Sequence, residues 1–164
     1  MSGQRPLPDV SDPLTAPYWA AAARGKLVVQ ACPACGYLRW PPGPLCPECQ
    51  TEGGAWTEIS PSGTLWSIAT YHRALDPAFA DEVPYTVGLV ELDDGPRMYG
   101  RMTGDPATFA LDAPVRATFT EVAPGVTLVG WTPAAASEEE SAADDGDAVG
   151  QAQAGEKGDL HGVR

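Results

Sequence analysis

The sequence has little of the equipment that an enzyme needs to act alone. Its 164 residues include only two histidines, His72 and His161, and only four cysteines. A serine or cysteine nucleophile needs a base beside it, and no nucleophile-elbow motif provides one. The sequence also contains no phosphate-binding loop and no dinucleotide fingerprint. These absences predict a protein that does not carry out a reaction by itself.

Positive charge is scarce as well. Ten Lys and Arg face 22 Asp and Glu, and the difference is a formal net charge of -12. Residues 134–164 hold eight acids and two bases, and residues 1–133 hold fourteen and eight, so each part carries -6. Binding to nucleic acids and to anionic membranes depends on Lys and Arg that displace condensed cations. Both kinds of partner are therefore disfavoured.

Long apolar segments are missing too. No run of eighteen apolar residues occurs, and the first ten residues lack the apolar core of a signal peptide. We therefore expect a cytoplasmic protein. After Pro133 the chain has no aromatic residue and no proline, and it consists mainly of Ala, Gly, Ser, Gln and acids. Such a segment buries too little apolar area to offset its ordering entropy, which predicts a disordered acidic tail over 134–164.

The four cysteines form the strongest local motif. Cys32 and Cys35 make one Cys-x-x-Cys pair, Cys46 and Cys49 make the second, and ten residues separate the pairs. Each pair can turn both sulfurs toward one point, so the two turns can face each other as a tetrahedral four-thiolate cage. A closed cage leaves no coordination site for water or substrate, which predicts a structural metal. Zinc is the expected ion, and a rubredoxin-like iron site, disulfides or a redox-active pair are the alternatives.

The rest of the chain predicts short strands. Asp12 and Pro13 resemble a helix start, Gly25 resembles a helix end, and Pro17 is expected to divide this segment into a turn and a short helix. Strands are expected at 26–31 and 56–59, on either side of the cysteines. Alternation predicts five more at 64–73, 84–92, 97–103, 114–122 and 126–131, with a helical turn within 105–111.

Five short antiparallel strands with a break after the third favour a small barrel of the OB type. The predicted fold is therefore mainly β. It consists of an N-terminal helical segment (1–28), a rubredoxin-like zinc ribbon (29–58), a C-terminal OB-fold barrel (59–133) and the disordered acidic tail (134–164).

One predicted strand carries candidate ligand contacts. In the run 97–103, alternation places Arg97, Tyr99 and Arg101 on one face and the intervening residues toward the barrel interior. Two guanidinium groups around a tyrosine suit a phosphate and a base such as adenine, as in a nucleotide or a nucleotide-containing coenzyme. His72 and Arg73, at the end of the run 64–73, are further candidates. The alternatives are an exposed face with scattered charges and an ordinary strand histidine.

Aromatic residues near the cysteines suggest a second surface. Tyr18 and Trp19 give the helical segment an apolar face, and Trp40 follows the first cysteine pair. We interpret these three residues as a candidate partner interface. The alternative is that the apolar face covers the ribbon or one end of the barrel.

Taken together, these landmarks resemble the acyl-CoA-associated zinc-ribbon and OB-fold family, first described as a domain of unknown function. The match runs from about residue 18 to residue 133. It rests on the following residues: Tyr18-Trp19, Gly25-Lys26-Leu27, Gln30, Cys32, Cys35-Gly36, Pro41-Pro42, Cys46-Pro47, Cys49, Trp56, Gly63-Thr64, Pro84-Tyr85, Val90-Glu91 and Pro114-Val115.

The resemblance implies a non-catalytic accessory subunit of a thiolase-like enzyme. The partner would be a lipid-transfer-type thiolase, an aldolase that cleaves steroid side-chain CoA esters, or a hot-dog-fold enoyl-CoA hydratase. The accessory chain would complete or bridge the acyl-CoA site, and the partner would supply the nucleophile and the base. A single-stranded nucleic-acid-binding module and a rubredoxin-like electron carrier are the competing hypotheses.

Overall fold

The computed structural model describes residues 5–134. The predicted tail, apart from Ala134, and His161 lie outside the described residues. These described residues contain one α-helix, α1 (Ala16–Ala22). The strands are β1 (Leu27–Ala31), β2 (Leu38–Arg39), β3 (Ala55–Ile59), β4 (Ser62–Tyr71), β5 (Tyr85–Leu92), β6 (Arg97–Met102), β7 (Pro114–Ala123) and β8 (Val126–Pro133). Two 3-10 helices span Pro77–Glu82 and Pro106–Thr108.

Two turns set the ends of α1. The Asp12 carboxylate accepts a hydrogen bond from the backbone N–H of Leu14, and the Asp12 carbonyl accepts one from Ala16. Pro17 lies in the first turn of the helix, where its missing N–H costs little. Gly25, at a φ of +70°, follows the helix end and turns the chain into β1. The predicted division into a turn and a short helix is confirmed.

A small antiparallel sheet carries the cysteine motif. Its strand order is β2-β1-β3, and the central strand β1 is buried almost throughout. Gln30 and Arg39 lie directly opposite each other in the β1–β2 pair. Strand β2 was not predicted, because two residues are too few to show alternation.

The remaining strands close into a barrel with the order β4-β5-β6-β8-β7. Neighbouring strands are antiparallel except for β6 and β8, which run parallel. A closed five-stranded barrel of this kind confirms the predicted OB fold. Strand β4 begins and ends two residues earlier than predicted, so His72 and Arg73 lie just beyond its end. The 3-10 helix Pro77–Glu82, in the connection from β4 to β5, was not predicted.

One hydrophobic core joins the ribbon to the barrel. It contains Tyr18 of α1, Val29 of β1 and Ile59 of β3, together with Met98 and Trp131 of the barrel. Val29 and Trp131 are fully buried. The ribbon sheet and the barrel therefore stabilise each other. Within residues 5–134, no helix is long and apolar enough to span a membrane.

Candidate functional site

The four cysteines meet at one point, as predicted. Their sulfur atoms all lie within 4.8 Å of one another, and none is in a disulfide. Between the two pairs, the sulfurs of Cys32 and Cys49 are 3.5 Å apart and those of Cys35 and Cys46 are 3.7 Å apart. A tetrahedral ion with metal–sulfur bonds of about 2.3 Å requires sulfur–sulfur distances of about 3.8 Å. The four cysteines therefore fit a tetrahedral metal ion.

The two knuckle turns are built alike. The backbone N–H of Gly36 donates to the carbonyl of Cys32, and that of Gln50 donates to Cys46. Both residues adopt a left-handed conformation, with φ of +74° at Gly36 and +60° at Gln50. The glycine was expected at such a turn. At Gln50 the side-chain amide donates to the carbonyl of Pro47, which bridges the turn.

Hydrogen bonding prepares one cysteine for metal binding. The Cys49 sulfur lies 3.3 Å from Oγ1 of Thr51. This hydrogen bond, with one from the Thr51 backbone, lowers the pKa of the Cys49 thiol to about 6. Since the thiolate is the form that ligates a metal, these hydrogen bonds favour the binding form of Cys49.

A buried polar pair connects the two knuckles. Arg39 and Gln30 are 5% and 4% exposed. Nε of Arg39 donates to Oε1 of Gln30, and Nη2 donates to the carbonyls of Gly43 and Gly53, both at 2.7 Å. Oε1 of Gln30 also accepts from the backbone N–H of Gly43. Because Gly43 and Gly53 flank the second knuckle, the pair holds that knuckle against β1 and β2, which flank the first.

A groove of about 410 Å³ lies between α1, the ribbon and the barrel. It unites five residues that the sequence analysis assigned to two separate surfaces. Its lining comprises Arg5, Tyr18, Trp19, Trp40, Tyr99, Arg101, Thr103, Thr118, Thr120, Val122, Leu128, Val129 and Gly130. A pocket of this size, mainly apolar with a few polar groups, is typical of small-molecule sites.

The aromatic residues of the groove differ in how freely they can contact a ligand. Tyr18 is only 4% exposed, because its ring packs on Trp40 at 4.2 Å and on Trp19 at 4.9 Å between centroids. This burial also raises the pKa of the Tyr18 hydroxyl. The expectation for Tyr18 is corrected accordingly: most of its surface is covered by its own chain. Tyr99, in contrast, is 71% exposed.

Arg101 belongs to a charged cluster at the groove. The Glu82 carboxylate accepts from Nη1 of Arg5 through Oε1, at 2.9 Å, and from Nη1 of Arg101 through Oε2. Both guanidinium groups also lie over aromatic rings, Arg5 over Phe79 at 5.0 Å and Arg101 over Tyr85 at 4.9 Å. Arg5, Glu82 and Phe79 were not predicted, because they lie in the N-terminal segment and in the short 3-10 helix Pro77–Glu82, and no periodicity reveals that these segments approach β6.

The other candidate ligand contacts lie elsewhere. Arg97 shares the outward face of β6, as predicted, but it stacks on Trp66 at 3.9 Å and pairs with Glu91 at 3.4 Å. It does not line the groove. His72 and Arg73 are exposed beyond the end of β4 and do not line it either. Of the five candidate ligand contacts, Tyr99 and Arg101 line the groove, and Arg97, His72 and Arg73 do not.

Comparison with known proteins gives this arrangement a family. The family model described as the rubredoxin-like zinc ribbon domain of ChsH2 matches residues 19–53, and that of its C-terminal OB-fold domain matches 56–120. A solved structure named Ltp2-ChsH2(DUF35) aldolase is similar, with 35% identity and a TM-score of 0.68. The match covers 79% of this chain and 98% of that chain. This chain belongs to the DUF35 family.

Two curated relatives carry names that describe a role. A probable enoyl-CoA hydratase alpha subunit of Thermomonospora curvata is 37% identical over 123 residues, which are 74% of this chain and 38% of that protein. A DUF35 domain-containing scaffold protein of Methanothermobacter thermautotrophicus is 30% identical over 101 residues, 60% of this chain and 75% of that one. The chain thus spans less than two fifths of the hydratase subunit. The predicted ribbon-and-barrel family is confirmed.

Proposed function

We propose that this DUF35 chain is a non-catalytic accessory subunit that binds a thiolase-like acyl-CoA enzyme and helps to form its CoA-ester site. The partner carries the nucleophile and the base. The single observation that carries this proposal is the structural match to the DUF35 chain of an aldolase. The match covers 98% of the length of that DUF35 chain. The match includes helix, ribbon and barrel, so the similarity extends beyond either small domain.

The names of two relatives support an accessory role. One is called a scaffold protein, and the other is called one subunit of a hydratase. An enoyl-CoA hydratase, for which the resemblance implies a hot-dog fold, is therefore the second partner class to test. The steroid side-chain CoA ester that the resemblance implies stays a prediction, as does a cytoplasmic location, which a reduced four-thiolate site would suit.

The exposed aromatic residues around the groove support a partner on that side. Tyr99 is 71% exposed, and Trp19 and Trp40 are half-buried at the groove wall. Exposed aromatic side chains are enriched at protein interfaces, where they fill pockets of the partner. We propose that Trp19 and Trp40 contact the partner chain and that Tyr99 lies between the partner and the bound ester.

Zinc is the metal that we propose for the four cysteines. The ion has no open coordination position in a four-thiolate site, so it supplies folding energy rather than Lewis acidity. It would fix the ribbon against α1 and the barrel, and thereby fix the groove wall at Trp40. A colourless protein with one equivalent of zinc is expected, whereas a rubredoxin-like iron site would be red.

Co-expression with a thiolase-like protein encoded nearby tests the function. We expect the two chains to co-purify, and the partner to lose solubility or activity without this chain. Trp19→Ser and Trp40→Ser should weaken co-purification about tenfold or more, as expected for interface anchors. Trp66→Ser is the matched control, because Trp66 is 47% exposed but does not line the groove. A partner that is fully active and stable alone would exclude the proposal.

A further inference from the structure

We infer that Arg5 and Arg101 form an anion site in the groove, that Glu82 occupies this site in the free chain, and that a phosphate of an acyl-CoA ester displaces Glu82. The inference rests on the proposed function for the identity of the ester. It goes beyond that function by assigning the phosphate to two residues and by giving Glu82 the role of an internal competitor.

The geometry around Glu82 is that of an occupied anion site. One carboxylate is held by two guanidinium groups, each through a different oxygen. The three side chains together carry one net positive charge. A phosphate group carries up to two negative charges and three acceptor oxygens, so it matches two guanidinium groups better than a single carboxylate does.

Each of the two arginines also contacts an aromatic ring, in addition to Glu82. Arg5 lies over the ring of Phe79, and Arg101 lies over the ring of Tyr85, which in turn stacks on Tyr71 at 5.1 Å between centroids. Cation–π contacts of this kind hold a guanidinium group without using its hydrogen-bond donors. The donors therefore stay directed at whichever anion lies between them.

Exchange of Glu82 for a ligand costs little. The side chains of Arg5, Arg101 and Glu82 are 34%, 38% and 28% exposed. Ion pairs that are open to water to this extent contribute little to stability, because solvent screens them. Glu82 also ends a 3-10 helix in a connecting segment, so its displacement breaks no strand pairing.

The groove fits the remainder of an acyl-CoA ester. Arg5 and Arg101 both line it, together with the apolar side chains of Val122, Leu128 and Val129. A ligand with an anionic head and an apolar arm can therefore place the head at the arginines and the arm along the groove. Coenzyme A carries phosphates on one side and a pantetheine arm with its acyl group on the other, which is the required order.

Calorimetric titration of the full zinc-loaded chain with octanoyl-CoA tests the site. Octanoate and free coenzyme A are the two partial ligands. We expect octanoyl-CoA to bind most tightly, coenzyme A more weakly, and octanoate not measurably. Arg101→Gln should weaken octanoyl-CoA binding about tenfold, as expected for the loss of a charge-assisted hydrogen bond. Arg97→Gln is the matched control and should change the affinity less than about twofold, because Arg97 lies outside the groove.

Glu82→Gln gives the decisive result, because its expected effect has the opposite sign. Removal of the competing charge should tighten binding about threefold to tenfold, a gain that misfolding would not produce. The inference is overturned if Glu82→Gln weakens binding, if Arg97→Gln and Arg101→Gln act alike, or if neither the wild type nor Glu82→Gln binds octanoyl-CoA at millimolar concentration. Co-purification with the partner is a separate readout, so a chain that binds its partner but not octanoyl-CoA contradicts only this inference.

Discussion

Arg39 donates its Nε–H to Oε1 of Gln30 at 2.9 Å. The two residues lie opposite each other on β2 and β1, the strands on either side of the first knuckle. The same guanidinium group donates to two carbonyls beside the second knuckle. The relative position of the two cysteine pairs therefore depends on one buried side chain. This is a second set of interactions around the metal site, beyond the four ligands themselves.

Arg39→Met should weaken zinc binding. It removes the charged donor from the carbonyls of Gly43 and Gly53 and from Oε1 of the buried Gln30, and each lost hydrogen bond to a charged group costs about 1.5–3 kcal/mol. We expect zinc affinity, measured by competition with a chelator, to fall at least about tenfold. Arg116→Met is the control, since Arg116 is exposed on β7. Unchanged zinc affinity in Arg39→Met would show that the cysteines position themselves.

Gly100→Ala should destabilise the barrel. A Cβ at Gly100 would come within 2.6 Å of both Cδ1 and Nε1 of Trp131, whose ring is fully buried. Overpacking of a filled core costs about 1–3 kcal/mol, so the free energy of unfolding in urea should fall by that amount. Gly43→Ala is the control, because its nearest contact is at an ordinary 3.9 Å. Equal stability of the two variants would mean that the Trp131 ring moves at no cost.

Tyr18→Phe should reduce the loss of stability at high pH. Burial raises the pKa of Tyr18 above its usual value of 10.0 in the folded chain. As the pH rises, the Tyr18 hydroxyl therefore loses its proton first in the unfolded chain. The stability that the protonated hydroxyl contributes is fully present below pH 10 and is lost as the pH rises further. The slope for one such group reaches about 1.4 kcal/mol per pH unit.

Urea unfolding of wild type and Tyr18→Phe at pH 8 and pH 11 measures this effect. Between pH 8 and pH 11, the free energy of unfolding should fall less in Tyr18→Phe than in the wild type. Tyr99→Phe is the matched control, because Tyr99 is exposed and should behave like the wild type at both pH values. Parallel pH dependence in all three proteins would mean that Tyr18 ionises without unfolding the chain.

The elements that the sequence predicted are those with a local signature. The cysteine spacing predicted the cage, and alternation in β5 to β8 placed each strand end within about two residues. Alternation also placed Met98 inside the barrel and Tyr99 outside, as observed. Asp12 lies in the turn before α1 and Pro17 lies in the first turn of the helix, and both positions follow from strong backbone preferences of single residues.

The groove could not be predicted in this way, because it depends on contacts between distant segments. Arg5 and Glu82 are 77 residues apart, and Tyr18 and Met98 are 80 apart. Strand alternation grouped Arg97 with Arg101 on one face, but it could not reveal that Trp66 covers one and Glu82 binds the other. Only the tertiary fold shows whether two residues on one strand face contact the same partner.

Metal removal should destabilise the barrel as well as the ribbon. Val29 of the ribbon and Trp131 of the barrel belong to one continuous core, so the ribbon cannot unfold without exposing barrel residues. Metal binding contributes directly to the folding free energy of a small four-cysteine domain. A loss of about 3 kcal/mol or more should lower the melting temperature of the whole chain by about 10 °C in one transition.

Near-ultraviolet circular dichroism, which reports the packed Trp131, should be lost together with the far-ultraviolet signal, and added zinc should restore both. If the aromatic signal instead survives chelation at the original melting temperature, the barrel folds independently of the ribbon, and the metal fixes only the groove wall.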